Sequence, residues 1–229
     1  MHSIRFVRAA SMAAFLAFSA VAAAEMPVMG GPMRHVLVSM VDDTIHVEVP
    51  PSAPPVLQWG ADQYDEPASV LNGKAVNAQY GWLADGFIAL PPGALIWIRA
   101  VDQPPALESY RAFTFEPIFG TDGSAPLFGW NGQMTHNWYA ASVPGAYSAT
   151  YELFVGDADG NAIDGYVGDT VTLDWVLPAS SDLDGNGTVD GADLGLLLAA
   201  WGTDDPVADL DGNGIVDGAD LGVLLGDWS

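Results

Sequence analysis

The residues in this chain most plainly fitted for chemistry are oxygen donors at fixed spacing. Residues 182–202 read DLDGNGTVDGADLGLLLAAWG and residues 209–229 read DLDGNGIVDGADLGVLLGDWS, two copies of one unit starting 27 residues apart. Counted from the first Asp, carboxylates and amides fall at positions 1, 3, 5, 9 and 12 of each copy. These are Asp182, Asp184, Asn186, Asp190 and Asp193, then Asp209, Asp211, Asn213, Asp217 and Asp220. Gly187 and Gly214 stand at position 6. A hard cation such as Ca²⁺ takes six to eight oxygens, and a 12-residue loop of EF-hand type supplies them from positions 1, 3, 5, 9 and 12 plus the carbonyl of position 7, with glycine at 6 making the turn. Here the position-7 carbonyls belong to Thr188 and Ile215. The spacing therefore predicts two Ca²⁺ ions, one per loop. An acidic turn that binds nothing is the alternative, and the duplication weighs against it, since chance would have to place every ligand twice.

Each loop must be held by the segment after it. Asp190 and Asp217 are placed as N-caps, with Asp193 and Asp220 three residues on favouring the same helix start. Leu194, Leu197, Leu198 and Trp201, and then Leu221, Leu224, Leu225 and Trp228, follow helical spacing. Gly202 is placed to end the first helix. No helix fits before either loop, because residues 178–181 are too few and residues 203–208 include Pro206. The units are loop–helix rather than helix–loop–helix.

These repeats resemble a type I-like dockerin, whose pattern is a tandem D-x-[DN]-x-[DN]-G-x-[VI]-[DN]-x-x-D loop followed by a Leu-rich helix. Both copies fit, with Val189 and Val216 at position 8. The resemblance covers about a quarter of the chain. It implies a small α-helical module, two bound calcium ions and a cohesin-like protein domain as partner. It also implies a setting of polysaccharide breakdown, since dockerins usually ride on polysaccharide-degrading enzymes. Two departures stand out. The helices carry no Lys or Arg, and positions 10 and 11 are Gly191-Ala192 and Gly218-Ala219 rather than hydroxyl pairs.

At the other end, Arg5 and Arg8 precede the small-residue apolar run 9–23, and Ala22-Ala23-Ala24 forms an A-x-A cleavage site. Residues 1–24 are thus expected to be a signal peptide. No other stretch reaches the roughly 18 apolar residues of a membrane helix. The expected product is secreted, extracellular or at the cell surface, with no membrane span in the mature chain and no anchor after the last helix. The chain has no cysteine and a net charge of −23. An exported module of about 50 residues without disulfides needs metal or a partner to fold. From residue 178 onward there are eleven Asp and no Lys or Arg. That balance argues against nucleic acid and anionic membranes, both of which require cationic patches.

Residues 25–177 read as an all-β antiparallel sandwich, Ig-like or jelly-roll, with 178–229 as the calcium module. Strand signals fall at 35–41, 44–49, 94–101, 112–116, 146–155 and 170–176, with Asn72-Gly73 and Asn131-Gly132 as hairpin turns. Tyr147, Ala149, Tyr151, Leu153 and Val155 alternate onto one face, as do Val171, Leu173 and Trp175. This region holds no Cys nucleophile and no G-x-S-x-G elbow. His46 and Glu48 share one strand face, and His136 could join them in space as a metal site; the alternative is that these are ordinary solvent-facing strand histidines, which are the commoner case. Asp157–Asn161 imitates the start of a calcium loop, but its glycine is at position 4, so it reads as a β-turn. Burial is the default for an aromatic body; Trp130 and Trp82 are the better candidates for a sugar-stacking surface, while Trp97 and Trp175 belong in the core. Three functions follow. The first is a non-enzymatic secreted protein docked through its calcium repeats. The second is a polysaccharide-binding module or glycoside hydrolase carried by the β domain. The third is a calcium module serving only as a structural cap.

Overall fold

The computed structural model describes residues 26–60 and 63–229. The signal-peptide expectation for residues 1–24 lies outside them. Among the described residues, twelve strands lie before residue 178. β1 (Arg34–Val41) and β2 (Thr44–Glu48) form a hairpin, with Asp42 at its tip in a left-handed conformation at φ 51°. They are followed by β3 (Gln58–Trp59), β4 (Ala75–Asn77), β5 (Tyr80–Ala84), β6 (Leu95–Asp102), β7 (Glu108–Tyr110) and β8 (Pro117–Ile118). β9 (Leu127–Trp130), β10 (Trp138–Ala141), β11 (Gly145–Gly156) and β12 (Asp169–Leu177) complete the set. Among the described residues two α-helices follow, α1 (Gly191–Ala199) and α2 (Gly218–Gly226).

The strands make three sheets, ordered β2-β1-β5, β3-β4-β10-β7-β8 and β12-β11-β6-β9. Pairing is antiparallel throughout the named strands except at β1 and β5, which run parallel with His35 beside Gly81 and Val36 beside Trp82. This corrects the expectation of a purely antiparallel domain. A parallel neighbour needs a long crossover, and the segment between residues 48 and 80 provides it. The layers pack face to face around one core. Val36, Val38 and Trp82 come from the first sheet, Tyr139 and Ala141 from the second, and Ile96, Ile98, Tyr151, Leu153 and Trp175 from the third. Aromatic edges lock the layers together: Trp82 meets Tyr151 at 5.9 Å, Tyr80 meets Trp175 at 5.3 Å, and Tyr139 meets Trp175 at 4.4 Å between ring centroids. β4 and β10 are buried on both faces, because a second cluster that includes Leu71, Val76, Tyr110, Phe115 and Trp138 covers the far side of their sheet.

Several expectations are met and several are corrected. The alternating residues of β11 are all buried. Residues 112–116 are not a strand: Phe115 takes a left-handed φ of 56°, its N–H bonds back to the Arg111 carbonyl, and Phe113 is exposed. The Phe-Thr-Phe composition suits a strand, but the chain reverses there to join β7 to β8. Asn72-Gly73 closes a short 3₁₀ turn and Asn131-Gly132 leads from one sheet to another, so neither makes a hairpin. Asp157–Asn161 is a turn, its Asp157 carboxylate accepting from the Asp159 and Asn161 amides. Among the described residues no helix is long and apolar enough to cross a membrane.

Candidate metal centre

Both helices begin as their sequences require. The Asp190 carboxylate accepts the Ala192 N–H at 2.8 Å, and Asp193 reaches back to the Asp190 N–H at 2.8 Å. Asp217 and Asp220 repeat the pattern with Ala219 and Asp217 at 2.8 and 2.7 Å. These reciprocal bonds satisfy amide donors that a helix start leaves open. They also bury Asp193 and Asp220 completely. The second oxygen of Asp193 accepts the Leu183 and Asp184 amides at 2.7 and 3.1 Å, so the last residue of the loop grips its first turn. The Asp190 amide, aided by those of Asp184 and Leu183, holds the Asp193 carboxyl below its ordinary value of 3.8 against the cost of burial. Burial pushes the Asp220 carboxyl up, but the amides of Asp217, Asp211 and Leu210 outweigh it and leave that carboxyl below 3.8 too.

The loops fold onto their own carboxylates. Asp182 accepts from Asn186 N–H at 3.1 Å and from Gly187 N–H at 2.8 Å, and Asp209 accepts from Asn213 and Gly214 at the same distances. Gly187 and Gly214 sit at φ 89° and 91°, a region that favours glycine. In each loop three carboxylates converge: one oxygen each from Asp182, Asp184 and Asp193 lies within 4.8 Å of the others, and likewise for Asp209, Asp211 and Asp220. The amides of Asn186 and Asn213 border the same triads, donating to Asp184 and Asp211 at 2.9 and 3.0 Å. Asp190 and Asp217 are not in the triads, and each gives an oxygen to its helix cap. Thr188 and Ile215 follow the turn directly, with their N–H groups on Asn186 and Asn213 Oδ1.

Comparison with protein-family models, with curated proteins and with solved structures finds no match to this chain. The donor set itself is therefore the guide to the ion. Three like charges meet in each loop, and no Lys or Arg follows residue 178 to neutralise them. The side-chain donors are all oxygens, which suit hard divalent cations. The two acidic triads fit a metal ion.

The two repeats interlock. Gly202 N–H donates to the Val216 carbonyl and Val216 N–H to the Thr203 carbonyl, each at 2.8 Å. Ser229, the equivalent of Gly202, donates its N–H to the Val189 carbonyl at 3.1 Å, and the Val189 N–H donates to the Ser229 hydroxyl at 2.9 Å. The tail of each helix thus pairs with position 8 of the other copy's loop. Leu197, Ala208, Val216 and Leu224 form the buried centre. The apolar stripe expected on the helices divides. Leu197 and Leu224 are buried, but Leu198, Trp201, Leu225 and Trp228 face solvent. α1 ends at Ala199 with Ala200 as its cap, rather than at Gly202.

In the β domain, Trp82 and Trp130 are 0% and 1% exposed, which removes them as sugar-stacking surfaces. Both lie within strands at the sheet interface, where layer packing overrides their nearness to turns. Trp59 is the tryptophan of this domain that stands half exposed, and sequence reasoning does not single it out. It borders a cleft of about 410 Å³ with Lys74, Ser142, Pro144, Ser180 and Asp184, between the β domain and the first loop. His46, Glu48 and His136 do not form a cluster of the kind seen in the acidic loops.

Proposed function

We propose that this chain is a secreted calcium-binding protein whose dockerin-like tandem repeat docks a cohesin-like protein domain, in a setting of polysaccharide breakdown. One observation carries the reading. The apolar residues left exposed on the module recur 27 residues apart as Leu196/Val223, Leu198/Leu225 and Trp201/Trp228, each between 39% and 52% exposed. Such residues on a duplicated, calcium-ordered scaffold make two equivalent faces for a partner's apolar surface. The ions are Ca²⁺ by donor type, loop length and the glycine at position 6. Asp182, Asp184, Asn186 and Asp193 serve the first ion with the Thr188 carbonyl, and Asp209, Asp211, Asn213 and Asp220 serve the second with the Ile215 carbonyl. Asp190 and Asp217 act through water. Each ion neutralises its loop and fixes the helix after it. The chain is not itself an enzyme in this reading. The test is calorimetric titration of the full chain with Ca²⁺, followed by binding to a panel of cohesin domains in calcium and in chelator. Two ions bound and calcium-dependent capture, abolished in a Leu198→Asp, Leu225→Asp double variant, support docking. Capture by no cohesin in calcium overturns it.

A second reading has its own observation, the half-exposed Trp59 beside Lys74 and Asp184 in the cleft. A sugar ring stacked on Trp59 would make the β domain a polysaccharide-binding module. Affinity electrophoresis in soluble polysaccharides tests this, since retardation must be lost in Trp59→Ala.

A further inference from the structure

The register of the first sheet sets two histidines on either side of a glycine. β1 and β5 pair in parallel with His35 beside Gly81. On the other edge of β5, Trp82 and Thr135 exchange both backbone hydrogen bonds, at 2.9 and 3.1 Å, in an antiparallel bridge. Continued by one residue, that bridge brings His136 opposite Gly81. The three residues form one row across the sheet. Val36 and Trp82, one residue on, point into the core, so the row faces outward. Gly81 makes the arrangement possible. A Cβ there would lie 2.4 Å from the Cε1 and Nε2 atoms of His136, so the His136 ring occupies the space above the glycine. Adjacent strands are about 4.8 Å apart, which brings that ring within reach of the His35 side chain.

The nitrogens are set for a ligand. His136 Nδ1 lies 2.8 Å from the Ala78 carbonyl. A carbonyl only accepts, so Nδ1 carries a proton, and in the neutral ring Nε2 is the nitrogen left with a lone pair. This is how a metal-binding imidazole is oriented by its surroundings. Both His136 Nε2 and His35 Nε2 are buried, and neither has a hydrogen-bond partner among the described residues. Buried polar atoms without partners are uncommon and costly. Two of them in one cross-strand row offer nitrogen donors of the kind a borderline metal ion takes at about 2.0–2.1 Å.

We propose that His35 and His136 form a transition-metal site of Zn²⁺ or Cu²⁺ type on the outer face of the β domain, distinct in donor chemistry from the oxygen-lined loops. Untagged full-length chain held in millimolar Ca²⁺ separates the two. Zn²⁺ is titrated calorimetrically into it, and Cu²⁺ is added for electron paramagnetic resonance. The expected result is one Zn²⁺ per chain and a Cu²⁺ spectrum with hyperfine splitting from two imidazole nitrogens. His35→Asn and His136→Asn should each weaken Zn²⁺ at least roughly tenfold, while His46→Asn leaves it unchanged. A wild-type Cu²⁺ spectrum without two nitrogen ligands overturns the proposal whether or not the variants fold. So does Zn²⁺ affinity equal to wild type in folded His35→Asn and His136→Asn.

Discussion

Leu224→Ala is the sharpest perturbation of the calcium module. Leu224 is fully buried in a centre that otherwise holds Leu197, Val216 and Ala208. Truncating a buried leucine costs about 2–5 kcal/mol. A core this small supplies only about 3–5 kcal/mol in total, so the metal-free variant module falls to the edge of unfolding or beyond. An ion present at a hundred times its dissociation constant adds about 2.7 kcal/mol, and two such ions roughly double that. The variant should therefore be folded in calcium and unfolded in chelator. α1 and α2 are the only α-helices among the described residues, so far-ultraviolet circular dichroism at 222 nm reports on the module in the intact chain. The expected outcome is loss of that signal on adding chelator, and its return with Ca²⁺. Val223→Ala, at an exposed neighbouring position, should change stability by no more than about 0.5 kcal/mol. A Leu224→Ala chain with full helical signal in chelator would refute the argument that calcium contributes to folding.

Three further outcomes are expected. Asp190→Ala and Asp217→Ala should each cost about 1 kcal/mol of module stability through loss of the helix cap, and should cost it equally because the two cap bonds match; chelator-dependent thermal melts compare them. Gly81→Ala puts a Cβ where the His136 ring lies, and should lower β-domain stability by about 1–3 kcal/mol, read as a lower urea midpoint with an unchanged slope. Burial raises Tyr80, Tyr110, Tyr139, Tyr147 and Tyr151 above their ordinary value of 10.0. The stability tied to their protonated forms is complete below pH 10 and is lost as pH rises past it, because the unfolded chain ionises first. Tyrosinate absorbance should accordingly rise in step with loss of the native dichroism; five tyrosines ionising near pH 10 in a folded chain would contradict this.

The features legible in the sequence are local ones. The loop carboxylates, the glycine at position 6 and the caps at Asp190 and Asp217 each depend on residues within a dozen positions, and the fold places the triads, turns and caps accordingly. The alternation of β11 and β12 is equally plain, since period-2 burial is written along a single strand. The features that escape are set by residues far apart. The parallel pairing of β1 with β5 joins segments more than 40 residues apart, and no turn signal marks it. That pairing buries Trp82 and gives His136 His35 as its neighbour across Gly81. The 112–116 segment misleads for another reason. Its composition suits a strand, but Phe115 is held in a left-handed turn that only the junction between β7 and β8 requires.

The exchange of tails between the two repeats also has a meaning in time. As the chain emerges, the second loop finds its partner, the 202–203 segment, already made. The first loop does not, because Val189 waits for Ser229, 40 residues later. At about 5–20 residues per second, synthesis leaves that loop unlatched for roughly 2–8 seconds. The repeat that comes first is therefore the one whose cross-repeat bonds, made with Ser229, can form last.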